Sequence, residues 1–178
     1  MKPLQKGLAV AFIHILLVLS VGGKLLYDRA TRPRVWVRTG SVDPDLPIRG
    51  RYFTLSLEVR AVDFKPVDRS NPVFKTQPQT YDPGYVELAV ENNELVAHKT
   101  DRPTGMMINS WGRQPSRGPD VFFLSSPVLF FIPEHAETPR LGSGAELWAE
   151  VTVPQKGPPR PIQLAIKRGV QWTPLTYK

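Results

Sequence analysis

The residues of this sequence best suited to chemistry are few and scattered. Glu134 and His135 stand side by side after Pro133, and glutamate and histidine are the usual proton carriers of acid–base catalysis. Neighbours in an extended chain face opposite ways, however, and no third group accompanies them. His98 and His135 are too few for a zinc site, and Gly142-Ser143-Gly144 lacks the Gly-x-Ser-x-Gly pattern of a nucleophile elbow, so it reads as a flexible turn. The absence of cysteine removes disulfides, thiolate zinc ligands, a thiol nucleophile and lipoprotein acylation. Arg49 and Arg51, two apart on one side of an extended chain, could hold a carboxylate or phosphate through paired hydrogen bonds, although Asp43 and Asp45 offer simpler partners. Trp111, Trp148 and Trp172 could line a binding pocket. Carboxylates on separate strands could form a glycosidase pair, but sequence alone does not place them opposite each other. The pattern is that of a non-enzymatic protein that needs neither metal nor cofactor.

Nucleic acid is excluded as a partner by where the charge lies. The net charge is +7, but residues 1–34 carry six basic groups (Lys2, Lys6, Lys24, Arg29, Arg32, Arg34) against Asp28 alone. That leaves only +2 for the rest of the chain, too little for an electrostatic footprint on DNA or RNA. A basic stem of this kind fits anionic lipid headgroups.

The element that must position everything else is the N-terminal apolar run. Gly7 to Gly23 contains no charge, and Lys6 and Lys24 flank it. With Leu25, Leu26 and Tyr27 added and Lys24 snorkelling to the interface, the run reaches the roughly 20 residues needed to cross a bilayer core. Gly7, Leu8, Phe12, His14, Leu19 and Gly23 are therefore expected in a single transmembrane helix. A cleaved signal peptide is the competing reading, but the apolar run is long for one. His14 in mid-span is costly in hydrocarbon, and a helix-packing role explains it more simply than a proton relay. Two orientation signals conflict. Lys24, Arg29, Arg32, Arg34 and Arg38 after the span lean toward a cytoplasmic domain, whereas the short basic tail before it has the form of a signal anchor that exports the C-terminal domain.

After the anchor and stem, taken as residues 1–33, the remaining 34–178 read as one β-rich domain, since the length suits a single core. Nineteen prolines and thirteen glycines imply short strands with frequent turns. Arg34–Arg38 alternates like a strand. Phe53, Leu55, Leu57, Val59 and Ala61 share one face of a single antiparallel strand, with Tyr52, Thr54, Ser56, Glu58 and Arg60 on the other. Tyr85–Val90 and Leu95–Lys99 flank Glu91-Asn92-Asn93-Glu94, a hairpin in which Val90 should pair with Leu95, Leu88 with Ala97 and Glu87 with His98. Met106-Met107-Ile108 and Trp111 read as a small flap. Val121–Leu124, Val128–Ile132, Ala145–Val153, Ile162–Lys167 and a closing Trp172 segment complete eight or nine strands, predicting an antiparallel sandwich or barrel.

The stretch Asp43-Pro44-Asp45-Leu46-Pro47-Ile48-Arg49-Gly50-Arg51-Tyr52-Phe53-Thr54-Leu55-Ser56-Leu57-Glu58 resembles the defining segment of the GDYXXLXY family of bacterial membrane-anchored proteins. Gly50, Tyr52 and Leu55 match its motif, while Arg51 replaces the family's aspartate and Leu57 its second tyrosine. Phe131-Ile132-Pro133-Glu134 is similar to a later Tyr-Phe-Val-Pro-Glu element, and the paired strands after Gly144 fit as well. The resemblance implies an inner-membrane anchor, a periplasmic domain, proximity to multi-pass membrane proteins and no established activity. Arg49, Gly50, Arg51 and Tyr52 are the candidate interaction residues. The expected role is an envelope interaction or assembly module, with a binding module for an envelope sugar, lipid or peptide as the alternative.

Overall fold

The computed structural model describes residues 3–40, 51–64, 84–109, 118, 120–133 and 141–177. The chain divides into two units, Met1–Arg32 and Pro33–Lys178. The first is one helix, α1 (Pro3–Thr31), long and apolar enough to cross a membrane. At about 1.5 Å per residue it exceeds the roughly 30 Å of a bilayer core, so the stem is helical almost to its end. Gly7, Leu8, Phe12, His14, Leu19 and Gly23 all lie on it. His14 Nδ1 lies 2.8 Å from the Val10 carbonyl one turn back, which gives that ring nitrogen a partner within the helix. Asp28 and Arg32 pair at 3.3 Å near its end, and Pro33, which lacks an N–H, marks where the helical path stops.

The second unit contains eleven strands among its described residues: β1 (Arg34–Arg38), β2 (Arg51–Leu55), β3 (Glu58–Val62), β4 (Tyr85–Glu91), β5 (Glu94–Thr100), β6 (Ile108–Asn109), β7 (Val121–Leu124), β8 (Val128–Ile132), β9 (Ala145–Thr152), β10 (Arg160–Arg168) and β11 (Gln171–Leu175). They form a four-stranded sheet ordered β1-β9-β10-β11, a β2–β8 ribbon and a five-stranded sheet ordered β4-β5-β3-β7-β6. The domain is mainly β, as the alternation predicted, and its described residues do not form a closed barrel. Among the described residues every strand pair is antiparallel except β3–β5, which runs parallel.

The predicted long strand over residues 52–61 is in fact two. Its inward face survives intact, since Phe53, Leu55, Leu57, Val59 and Ala61 are all buried. Its partners change at Ser56-Leu57: β2 pairs with β8, whereas β3 lies between β5 and β7. At the corner the Gly40 amide donates to the Ser56 carbonyl at 2.8 Å and the Leu124 amide to the Leu57 carbonyl at 2.9 Å. Gly40 packs closely there: a Cβ would lie 3.1 Å from the Phe123 ring, which would have to shift by a few tenths of an ångström. Side-chain alternation reports faces, not partners, so the switch leaves no mark on it.

The β4–β5 hairpin has the predicted register, including Glu87↔His98, Leu88↔Ala97 and Val90↔Leu95. Asn92 and Asn93 have φ of 49° and 66°, as a two-residue turn matching the strand twist requires. The expected flap is instead part of the sheet. Met106 and Ile108 are buried, the Val86 amide donates to the Met106 carbonyl at 3.0 Å, and the Ser125 amide donates to the Met107 carbonyl at 2.8 Å. Residues 106–109 thus reach from β4 to β7, and the apolar pair points inward with period two. Trp111 lies outside the described residues. Side chains from all three sheets merge into one core, where Tyr177 packs its ring 6.4 Å from Phe53 and 6.3 Å from Phe130.

Leu57→Ala, at the corner shared by the sheets, should cost about 2–5 kcal/mol in chemical denaturation of the detergent-solubilised chain. Tyr177 should respond to alkali. Its hydroxyl is buried with no hydrogen-bond partner among the described residues, and burial raises its pKa above 10.0. The unfolded state therefore loses this proton first, and the contribution to stability, present below pH 10.0, falls as pH rises through the folded pKa. Tyr177→Phe should flatten that part of the melting-temperature profile above pH 10.0, and add about 1 kcal/mol at neutral pH by removing the unsatisfied hydroxyl.

Candidate functional site

The outer face of the four-stranded sheet carries three of the four tryptophans. Strand alternation turns Val35 and Val37 of β1, and Leu147, Ala149 and Val151 of β9, into the core, which leaves Trp36, Arg38, Glu146 and Trp148 outside. Lys167 of β10 and Trp172 of β11 are cross-strand partners on the same face. The Trp172 ring meets Trp36 at 5.4 Å and Trp148 at 5.2 Å, both edge to face. The Lys167 ammonium lies 4.9 Å from the Trp148 centroid and 5.2 Å from that of Trp172, within cation–π range. The Trp148 indole N–H donates to Glu146 at 3.0 Å.

Beside this cluster, β1 and β3 diverge after their contact at Thr39 and Leu57 and leave a half-open groove of about 360 Å³. Val37, Val59 and Leu95 lie beneath it, Trp36 and Trp148 line one side, and charged groups from β3, β5 and the Asp120 turn line the other. Arg38 is the hinge of its electrostatics. Its Nη1 donates to Glu58 at 3.0 Å and its Nε lies 3.4 Å from Glu146, so one guanidinium ties β1 to β3 and β9. Arg60 pairs with Glu94 across the groove rim. Asp120 has no ion-pair partner among the described residues.

Of the sequence-derived candidates, Arg49 and Gly50 lie outside the described residues, as do Trp111, Glu134 and His135. Arg51 opens β2 opposite Ile132. Tyr52 pairs across the ribbon with Phe131, ring centroids 6.1 Å apart, and Phe131 and Leu129 remain exposed at 69% and 44%. Trp148 and Trp172 do come together, joined by Trp36, which composition and spacing do not single out. The readable signal for it is an outward tryptophan two residues from an outward arginine on β1, matched by Glu146-x-Trp148 on β9. His98 lies 2.7 Å from Glu91 and 3.7 Å from Asp63, an exposed cluster on the β4–β5 hairpin side. Among the described residues no group of three or more histidines and carboxylates is placed to hold a metal. Gly142 to Gly144 form a turn, with the Ala145 amide donating to the Gly142 carbonyl at 3.1 Å.

No family model, curated protein or solved structure matches this chain.

The two arginines of the groove should differ in weight. Arg38 is largely enclosed and lies between two carboxylates, so Arg38→Ala should cost about 1–3 kcal/mol by removing its bond to Glu58 and its charge beside Glu146. Arg60→Ala, whose pair is much more exposed, should stay within about 1 kcal/mol. Urea titrations of both variants would check the contrast.

Proposed function

We propose that this chain is a single-pass inner-membrane protein whose β domain lies on the periplasmic side and recognises a neighbouring membrane protein without performing chemistry. The groove beside the tryptophan cluster carries this reading. One wall is aromatic and the other charged, Glu58 and Glu94 are already bound to Arg38 and Arg60, and only Asp120 is left without an ion pair among its described residues. Acid–base catalysis requires groups held ready for a proton, whereas an aromatic wall facing paired charges is the makeup of a recognition surface. The resemblance of the segment around Gly50 to GDYXXLXY proteins supports the membrane and face assigned. A helix able to cross a bilayer supplies the tether.

The alternative, a module for an envelope sugar, lipid or peptide, draws on the same tryptophans. Their rings meet edge to face, and the Lys167 ammonium sits against both Trp148 and Trp172, so the three rings do not form the parallel platform that stacks on a sugar. A peptide or protein partner suits the groove better.

Site-specific photocrosslinking in intact cells tests the proposal. A photoreactive phenylalanine analogue in place of Glu94, on the groove rim, should capture an integral membrane protein, while the same probe at Val170, which is 96% exposed on the β10–β11 turn, should not. Equal capture from both positions, or none from position 94, would contradict it.

A further inference from the structure

We infer that the groove takes its partner as an extended segment, added as a strand along the free edge of β1 and carrying a basic side chain toward Asp120. The inference rests on the recognition role proposed above and names the form of the partner.

The backbone of β1 sets the geometry. In an antiparallel pair, alternate residues exchange their N–H and C=O groups with the neighbouring strand, and those between turn them the other way. The Thr39 amide donates to the Leu147 carbonyl at 2.9 Å and the Val153 amide to the Pro33 carbonyl at 3.0 Å. Counting back by twos through the register Val37↔Ala149 and Val35↔Val151, the odd-numbered residues bond to β9. The even-numbered ones face away from it, as Gly40 confirms by donating to Ser56 on that side. β1 ends the order β1-β9-β10-β11, so no strand pairs with it on this side along Trp36 among the described residues. The Trp36 N–H and C=O and the Arg38 N–H thus point into the groove, where β3 has already turned away to pair with β5 and β7.

Unpaired strand edges recruit extended peptides by main-chain hydrogen bonds, with side-chain pockets supplying selectivity. Here the apolar floor of Val37, Val59 and Leu95 would receive alternate side chains of the incoming strand. The charge balance chooses the rest. Arg38 and Arg60 are taken up by Glu58, Glu146 and Glu94, so the uncompensated charge among the described groove residues is the Asp120 carboxylate, and a lysine or arginine complements it.

Amide hydrogen exchange on the full chain in detergent, followed by NMR, tests this with a capped Thr-Val-Lys-Val-Thr peptide as probe. Without peptide, the Trp36 amide should exchange at least tenfold faster than those of Val35 and Val37. At millimolar peptide it should slow at least tenfold. A peptide N-methylated on alternate amides should have no such effect, and one with Glu in place of Lys should bind at least fivefold more weakly. A Trp36 amide as slow as Val37 before any addition would mean the chain itself covers the edge, and would overturn the inference. So would a Trp36 amide that millimolar peptide leaves unchanged, and equal binding of the Lys and Glu peptides would overturn the charge assignment. If crosslinking from position 94 succeeds while this experiment fails, the recognition role stands and strand addition is wrong. If both fail, the recognition role falls too.

Discussion

Everything in the β domain hangs on one constraint: five alternate side chains from Phe53 to Ala61 must stay buried while the strand that carries them changes sheets. Phe53 and Leu55 close the core beneath β2 and β8, and Val59 and Ala61 do so beneath β3. Leu57 sits at the change, where β1 and β7 both reach it through the Thr39 bridge and the Leu124 amide. Burial on this scale, about 25 cal/mol for each Å² of apolar surface removed from water, outweighs the irregular hydrogen bonding of the corner. Slipping the segment by one residue would bring Glu58 and Arg60 into the core, which fixes its register.

The opposite face of the same segment supplies both surfaces on which recognition can be built. Tyr52 meets Phe131 on the ribbon, and Glu58 and Arg60 stand along the groove. A single run of alternating residues therefore couples the core to the site. Arg38 extends that coupling, since its pairing with Glu58 and Glu146 holds β1 at a set distance from β3 and leaves the groove between them. Tryptophan rings from β1, β9 and β11 meet edge to face across the sheet on that side.

The features legible in the sequence are those that local chemistry decides. The β4–β5 hairpin follows from two asparagines at positive φ and the register they impose. The helix follows from an uncharged apolar run. The alternation at 53–61 identifies every buried residue there but not the division into two strands, because the break depends on β1, β5, β7 and β8, which lie elsewhere in the chain. Met106 and Ile108 read as a flap because a two-residue strand has no period to detect. The groove is hidden for the same reason on a larger scale: Arg38, Glu58 and Glu146 come from three strands spread over more than half of the chain. Tyr52 stands out in the sequence, but its ring partner Phe131 becomes visible only once β2 and β8 are paired.

If the switching segment makes three sheets one cooperative unit, probes placed in each sheet must report the same unfolding event. Three of the four tryptophans lie on the four-stranded sheet, whereas Phe53 belongs to the ribbon and Phe122 to the five-stranded sheet. A urea titration of the fluorophenylalanine-labelled chain, read at once by tryptophan emission and by the fluorine resonances of Phe53 and Phe122, compares all three. Coincident transitions with a single midpoint are the predicted result. Separate midpoints for tryptophan emission and either fluorine signal would show that the sheets unfold independently and that the shared segment does not bind them.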